Sequence, residues 1–171
     1  HLPATALMLQ ETPSGLPPGL VLLCVKSGAT AGAMASLAQT VAPGTPVLSL
    51  QNGIGNAKLA QQTAPALKVL AGMVPFNVAE RAPGHYHRGT SGQLCAQQDE
   101  ALAPWLPWFA RAGLPLTLHA DMVTVQWAKL LLNLNNPVNA LSGLPLRQQL
   151  LDRGYRRVAA APAKAGAKNE P

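Results

Sequence analysis

Residues 127 to 136 read WAKLLLNLNN, which sets one lysine and three asparagines into a run of leucines. Asparagine weakens a helix, and a lysine costs free energy if buried without a partner. On a helical wheel, Lys129, Asn133 and Asn136 fall within about 60° of one another, with Gln126 on the same side. Leu130, Leu131, Leu132 and Leu134 occupy the rest of the circumference, while Asn135 and Asn139 project elsewhere. A helix that is apolar almost all round is a buried one, so this narrow polar stripe is expected to face a cleft. There an ammonium could give up a proton, and amides could both donate and accept hydrogen bonds. Two structural readings compete with a site. A solvated face is one, although such faces favour Glu, Lys, Gln and Arg over asparagine. The other starts from Pro137, which lacks an N–H and frees the Asn133 carbonyl, leaving a backbone that the asparagines could satisfy.

Two further positions carry chemistry. "VKS" (25–27) and "QNG" (51–53) each follow an apolar run that reads as a parallel strand. Ligands of such sheets bind beyond the carboxyl ends of the strands, which is where Lys26 and Asn52 would stand. A lysine there offers a point charge to phosphate or carboxylate, and an asparagine suits an amide-bearing ring or a ribose. Gly53 allows a turn of positive φ and a close approach to a ligand. An ordinary surface lysine and a plain Asn-Gly turn are the alternative.

The elements that must position these residues follow from the pattern around them. "LVLLCV" (20–25) is a short apolar run of the kind covered on both faces. Helix is expected from Ala29 to Val41, strand over "VLSL", helix over "NAKLAQQTA" and strand over "KVLAGMVPFNV". This rhythm predicts an α/β fold built on a parallel sheet. Next, "GHYHRGTSGQLCA" reads as exposed or edge strands, "EALAPWLPWFARAG" as a helix interrupted by prolines, and "LPLTLHA" as a strand. Asp121 is a candidate N-cap for a long helix to about Leu141, with more helix after it and a frayed tail from 158.

The composition narrows the function. Hydrophobic residues at 48% exclude wholesale disorder. Thirteen basic against seven acidic residues give a net +6, but the excess crowds the C-terminal quarter (Arg147, Arg153, Arg156, Arg157) instead of forming a stripe. With aromatics at 4%, stacking platforms are scarce, and no nucleic-acid partner is expected. No apolar stretch is long enough for a membrane span, so no membrane partner is expected either. Cys24 and Cys95 are the only thiols, which suits a reducing cytoplasm. Cys24, in its apolar run, is expected to be buried and inert. His85 and His87 share a strand face but lack a third ligand, so no metal site is expected. Trp105, Trp108 and Phe109 read as packing residues.

"VLLCVKSGAT", "PVLSLQNGIGN" and "VQWAKLLLNLNNPVNALSG", in this order and at these intervals, resemble ketopantoate reductase over roughly residues 18 to 157. The resemblance implies a partial Rossmann-like sheet (1–118) followed by the first helices of an all-α substrate and dimerisation domain (119–157). It implies an NADPH-dependent reduction of the 2-oxo acid 2-dehydropantoate to pantoate. By matching position, Lys129 is the general acid, Asn133 a substrate-binding residue, and Lys26, Asn52 and Gly53 contacts of NADP. The family's next substrate asparagine stands eight residues after the lysine and before a proline, whereas Asn136 stands seven after it. The chemistry agrees with the residues, because hydride added to a ketone leaves an alkoxide that an ammonium can neutralise as it forms. No GxGxxG loop is present, and the family's downstream serine and glutamate are missing. The chain is therefore expected to be a central fragment that does not turn over ketopantoate alone, with a homodimer as the conceivable assembly. A reductase of another 2-oxo acid, a non-catalytic homologue and a basic binding module are the competing readings.

Overall fold

The computed structural model describes residues 19–133, 140–145, 148 and 151–157. The chain divides into two units, His1–Met122 and Val123–Pro171.

In the first unit, β1 (Val21–Leu23), β2 (Pro46–Ser49) and β3 (Lys68–Met73) are parallel, with Val21, Val47 and Val69 in register. The two crossovers are α1 (Thr30–Thr40) and α2 (Asn56–Thr63). Successive side chains of β2 leave on opposite faces, and both faces are covered. Val47 packs with Leu23, Met34, Val41, Ala60, Ala64 and Leu67 beneath α1 and α2. Leu48 packs with Leu70, Ala96 and Leu102 on the other side. Gln61 of α2 pins that helix to the sheet: its Nε2 donates to the Leu67 carbonyl at 2.9 Å and its Oε1 accepts from the Val69 N–H at 3.0 Å.

After β3 the sheet direction reverses. The expected strand over 68–78 stops at Met73 and resumes as β4 (Val78–Ala82), which pairs only with β5 (His85–Arg88) in a wholly exposed hairpin. Pro75 has no N–H to give a ladder, which accounts for the break. Next, β6 (Leu94–Gln97) lies antiparallel to β3 and β7 (Leu116–His119) parallel to β6, giving the order β1-β2-β3-β6-β7. The segment read as exposed or edge strand thus contributes an interior strand, with Leu94 and Ala96 buried. The proline-interrupted helix is a 3-10 turn over Glu100–Trp105 that passes into α3 (Leu106–Arg111). Trp105 and Phe109 pack inward, whereas Trp108 is exposed beside Arg111.

The apolar run at 20–25 is covered on the face of Val21 and Leu23 and only in part on the other, where Leu20 packs against the Leu48 cluster. Leu22 shares the register and face of Leu48 but is 47% exposed. The helical cover of that face packs over Leu48, Leu70 and Ala96 and reaches Leu20 and Gly19, but leaves Leu22 open.

The second unit carries most of α4 (Met122–Asn133), which begins directly after Asp121. The helix is not buried all round as the leucine run suggests: Val123 and Leu132 are 63% and 69% exposed. Asn136 and the tail from 158 lie outside the described residues.

Two substitutions test this packing. A Cβ at Gly72 would stand 2.8 Å from the Ser49 carbonyl oxygen and 2.9 Å from Leu50 Cδ2, so the end of β2 would have to shift. Gly72→Ala should lower the unfolding free energy by about 1–3 kcal/mol in urea titrations, and an unchanged midpoint would contradict the close approach. Asp99 receives the Lys68 ammonium at 2.6 Å and the Ala101 N–H at 2.8 Å. Its hydrogen bonds, that to Lys68 foremost, hold its carboxyl below the ordinary carboxylate range. A depressed folded pKa stabilises above the unfolded pKa of about 3.9 and ceases to do so as pH falls through the folded value. Asp99→Ala should therefore cost about 1 kcal/mol at pH 7 and less at pH 3, read by denaturant titration at both.

Candidate functional site

The carboxyl ends of β1 and β2 emerge side by side because the strands are parallel and in register. One further ladder bond, from the Leu50 N–H to the Leu23 carbonyl at 3.0 Å, holds them together past the last paired residues. Beyond it the chains separate around a pocket of about 260 Å³, lined by residues Cys24 to Ser27 of one loop and Leu50 to Asn52 of the other. Lys26 and Asn52, read from sequence as ligand-facing, thus line one pocket. Lys26 is exposed, and among the described residues no carboxylate pairs with its ammonium.

Each loop has a local reason for its shape. Lys26 is extended (φ −61°, ψ 148°) and its carbonyl accepts the Ala29 N–H at 2.8 Å, closing a 3-10 turn that leads into α1. In the other loop, Asn56 Nδ2 donates to the Asn52 carbonyl at 2.8 Å and holds that loop to the first turn of α2. Gly53 has φ +89°, a conformation that L side chains rarely adopt. It lies beside the pocket and lets the chain turn sharply behind Asn52.

Behind the pocket lining, Gln51 joins a buried polar network whose partners local sequence pattern does not reveal. Gln51 is 7% exposed, Ser49 3% and Thr30 fully buried. Gln51 Nε2 donates to the Val25 carbonyl and to Thr30 Oγ1, both at 2.8 Å, while its Oε1 accepts from Ser49 Oγ at 2.9 Å. The signal was present in "VLSLQNG", where a serine and a glutamine interrupt a buried apolar run. Cys24 is also placed differently from expectation. It lies one residue beyond β1 and is exposed at the pocket, because the terminal strand is only three residues long. Partial desolvation by its surroundings raises its thiol pKa, which disfavours the reactive thiolate.

Lys129 and Asn133 lie on α4 in the second unit, one turn apart and both half-buried. A larger hollow, about 390 Å³, lies on the exposed β4–β5 hairpin around Arg81, Gly84, His85, Tyr86 and His87. Its walls are two exposed strands and their turn, and no parallel strand ends open into it. Among the described residues no cluster of three or more metal-ligating side chains occurs, and no helix is long and apolar enough to cross a membrane.

Against this geometry the relatives can be compared. Residues 4–99, more than half of the chain, match the family model of ketopantoate reductase PanE/ApbA. A 2-dehydropantoate 2-reductase of Halobacterium salinarum is 35% identical over 130 residues, 73% of this chain and 42% of that protein. The crystal structure of a PanE/ApbA family ketopantoate reductase from Ralstonia eutropha superposes with a TM-score of 0.73 at 32% identity, over 82% of this chain and 47% of that one. The fold is shared as well with D-mandelate dehydrogenase in its ternary structure with NADH and anilino(oxo)acetate (TM-score 0.77, 17% identity, 92% of this chain and 53% of that one). The chain spans about half the length of these relatives. With an α/β fold whose sheet is mostly parallel, and with that family match over residues 4–99, the chain belongs to the ketopantoate reductase PanE/ApbA family.

Proposed function

We propose that this chain provides the cofactor pocket and the proton donor of an NADPH-dependent 2-dehydropantoate 2-reductase. The observation that carries the reading is the pocket at the ends of β1 and β2, where Lys26 and Asn52 stand together. An ammonium and a carboxamide that find no ion-pair or side-chain hydrogen-bond partner among the described residues suit a phosphate-bearing, ribose-bearing ligand. The left-handed glycine beside them removes a Cβ where such a ligand must come close. Lys26, Asn52 and Gly53 would hold this part of NADP.

When bound, the reduced nicotinamide supplies a hydride to the carbonyl carbon of a 2-oxo acid. The residues of this chain then handle the charge that results. Lys129 Nζ donates a proton to the carbonyl oxygen as negative charge develops there, giving the alcohol. Asn133 hydrogen-bonds substrate oxygens without competing for that proton, and Asn136 has the same proposed role. The fold shared with D-mandelate dehydrogenase, whose structure contains NADH and a 2-oxo acid derivative, favours a second reading. In it, the same proton transfer serves a different 2-oxo acid and the other nicotinamide cofactor. A cytoplasmic location and a homodimeric assembly belong to the proposal as well.

Calorimetric titration of the 171-residue chain tests the cofactor assignment. NADPH should bind saturably, and Lys26→Ala should weaken it by about tenfold or more, the loss expected for a charge-assisted hydrogen bond. Equal affinities would remove Lys26 from the site. The role of Lys129 is read in any preparation, this chain or a longer reading frame, that oxidises NADPH in response to ketopantoate. There Lys129→Ala should lower kcat by about 10²–10⁴-fold while the KM for NADPH stays within about threefold. An unchanged kcat would assign the proton to another group.

A further inference from the structure

We propose that Gln51 is a positioning residue for the cofactor pocket: its buried carboxamide locks the loop bearing Lys26 to the loop bearing Asn52. The inference rests on the reading of that pocket as a nucleotide site, and it adds a residue with no role in the reading so far.

The argument begins with hydrogen-bonding capacity. A glutamine side chain has two N–H donors and an oxygen acceptor. Here both donors are committed, to the Val25 carbonyl and Thr30 Oγ1 at 2.8 Å each, and the oxygen accepts from Ser49 Oγ at 2.9 Å. The partners come from three segments: the loop after β1, the first residue of α1 and the last residue of β2. Gln51 as a whole is only 7% exposed, so its bonds are shielded from bulk water, and losing one leaves a buried group unsatisfied.

The bond to Val25 matters for the ligand. The peptide joining Val25 to Lys26 is trans and planar, so fixing the Val25 carbonyl also fixes the direction of the Lys26 N–H and the base of its side chain. Among the described residues, the Lys26 N–H has no hydrogen-bond partner, which leaves it available to a ligand. Gln51 is also the residue before Asn52, and anchoring its side chain restrains the second loop from within. A single buried group therefore sets the spacing of both ligand-facing residues. Such preorganisation lowers the cost of ordering loops on binding. Among the described residues, the Ser49 hydroxyl hydrogen-bonds the same carboxamide but not the Lys26 loop, which provides a control.

The test compares Gln51→Glu with Ser49→Ala in the 171-residue chain. The glutamate keeps the shape and the acceptor but, ionised, lacks both donors. Gln51→Met is the alternative if a buried carboxylate prevents folding. NADPH affinity is measured by calorimetry, amide exchange of residues 25–28 by NMR, and folding by thermal melts. A Gln51 variant should weaken NADPH by about tenfold or more and speed exchange at Lys26 and Ser27 by a similar factor. Ser49→Ala should change each by less than about threefold, even where its melting temperature falls. Losses that follow melting temperature alike in both variants, or a Gln51 variant that binds like the wild type, would overturn the proposal. If the wild-type chain binds no NADPH, the cofactor reading fails by itself, and the exchange rates alone decide whether Gln51 fixes the loop. If neither Gln51 variant folds, the wild-type Gln51 carboxamide protons decide: slow exchange supports the lock, and exchange at the solvent rate overturns it.

Discussion

Where two parallel strands end together, their ladder of hydrogen bonds stops and their chains must part. At the end of β1 and β2 the last backbone bond is Leu50 to Leu23. Every buried polar group beyond it needs a partner from outside the sheet. The Gln51 carboxamide meets that need for the Val25 carbonyl, Thr30 and Ser49 at once. Without such a bridge, the splayed ends would bury unsatisfied groups or open to water, and the pocket between Lys26 and Asn52 would lose its fixed width. The rest of the first unit supports this point. Buried Val47 and Leu48 anchor β2 on both faces, and the Cβ-free Gly72 allows β3 to pass close to the Ser49 carbonyl.

The sheet explains why this edge, and not another, carries the pocket. The strands β1, β2 and β3 run in one direction, whereas β6 and β7 run in the other. The first three bring their carboxyl ends to a single edge, and there β1 and β2 run on through loops into helix starts. The Lys26 and Asn52 loops each lead directly into a crossover helix, so rigid elements hold each loop at both ends. By contrast, the β4–β5 hairpin is exposed on both faces and has no comparable frame.

Much of this was legible in the sequence, and the limits have physical causes. Continuous apolar runs marked β1, β2 and β3, and "VKS" and "QNG" marked the loops that line the pocket. Pattern alone could not tell that Leu22 would be exposed, because that depends on which helices cover the terminal strand. Nor did it predict an interior β6: periodicity describes one strand and is silent on the neighbours it acquires. The apolar run over 68–78 suggests one strand, but the missing N–H of Pro75 breaks it after Met73. Gln51 was passed over because a glutamine beside Asn-Gly reads locally as a turn, while its partners lie 21 and 26 positions away in the chain. The leucine-rich α4 was expected to be buried, and its exposed Val123 and Leu132 show that residue type alone does not supply a cover.

The central claim is that the locked ends of β1 and β2 hold a nucleotide. NMR chemical-shift mapping of the labelled 171-residue chain during titration with NADPH addresses it most directly. The account predicts saturable shifts centred on the amides of residues 25–28 and 51–53, with the hairpin amides of 78–88 unmoved. Saturable shifts confined to other parts of the chain, or none at millimolar NADPH, would contradict it.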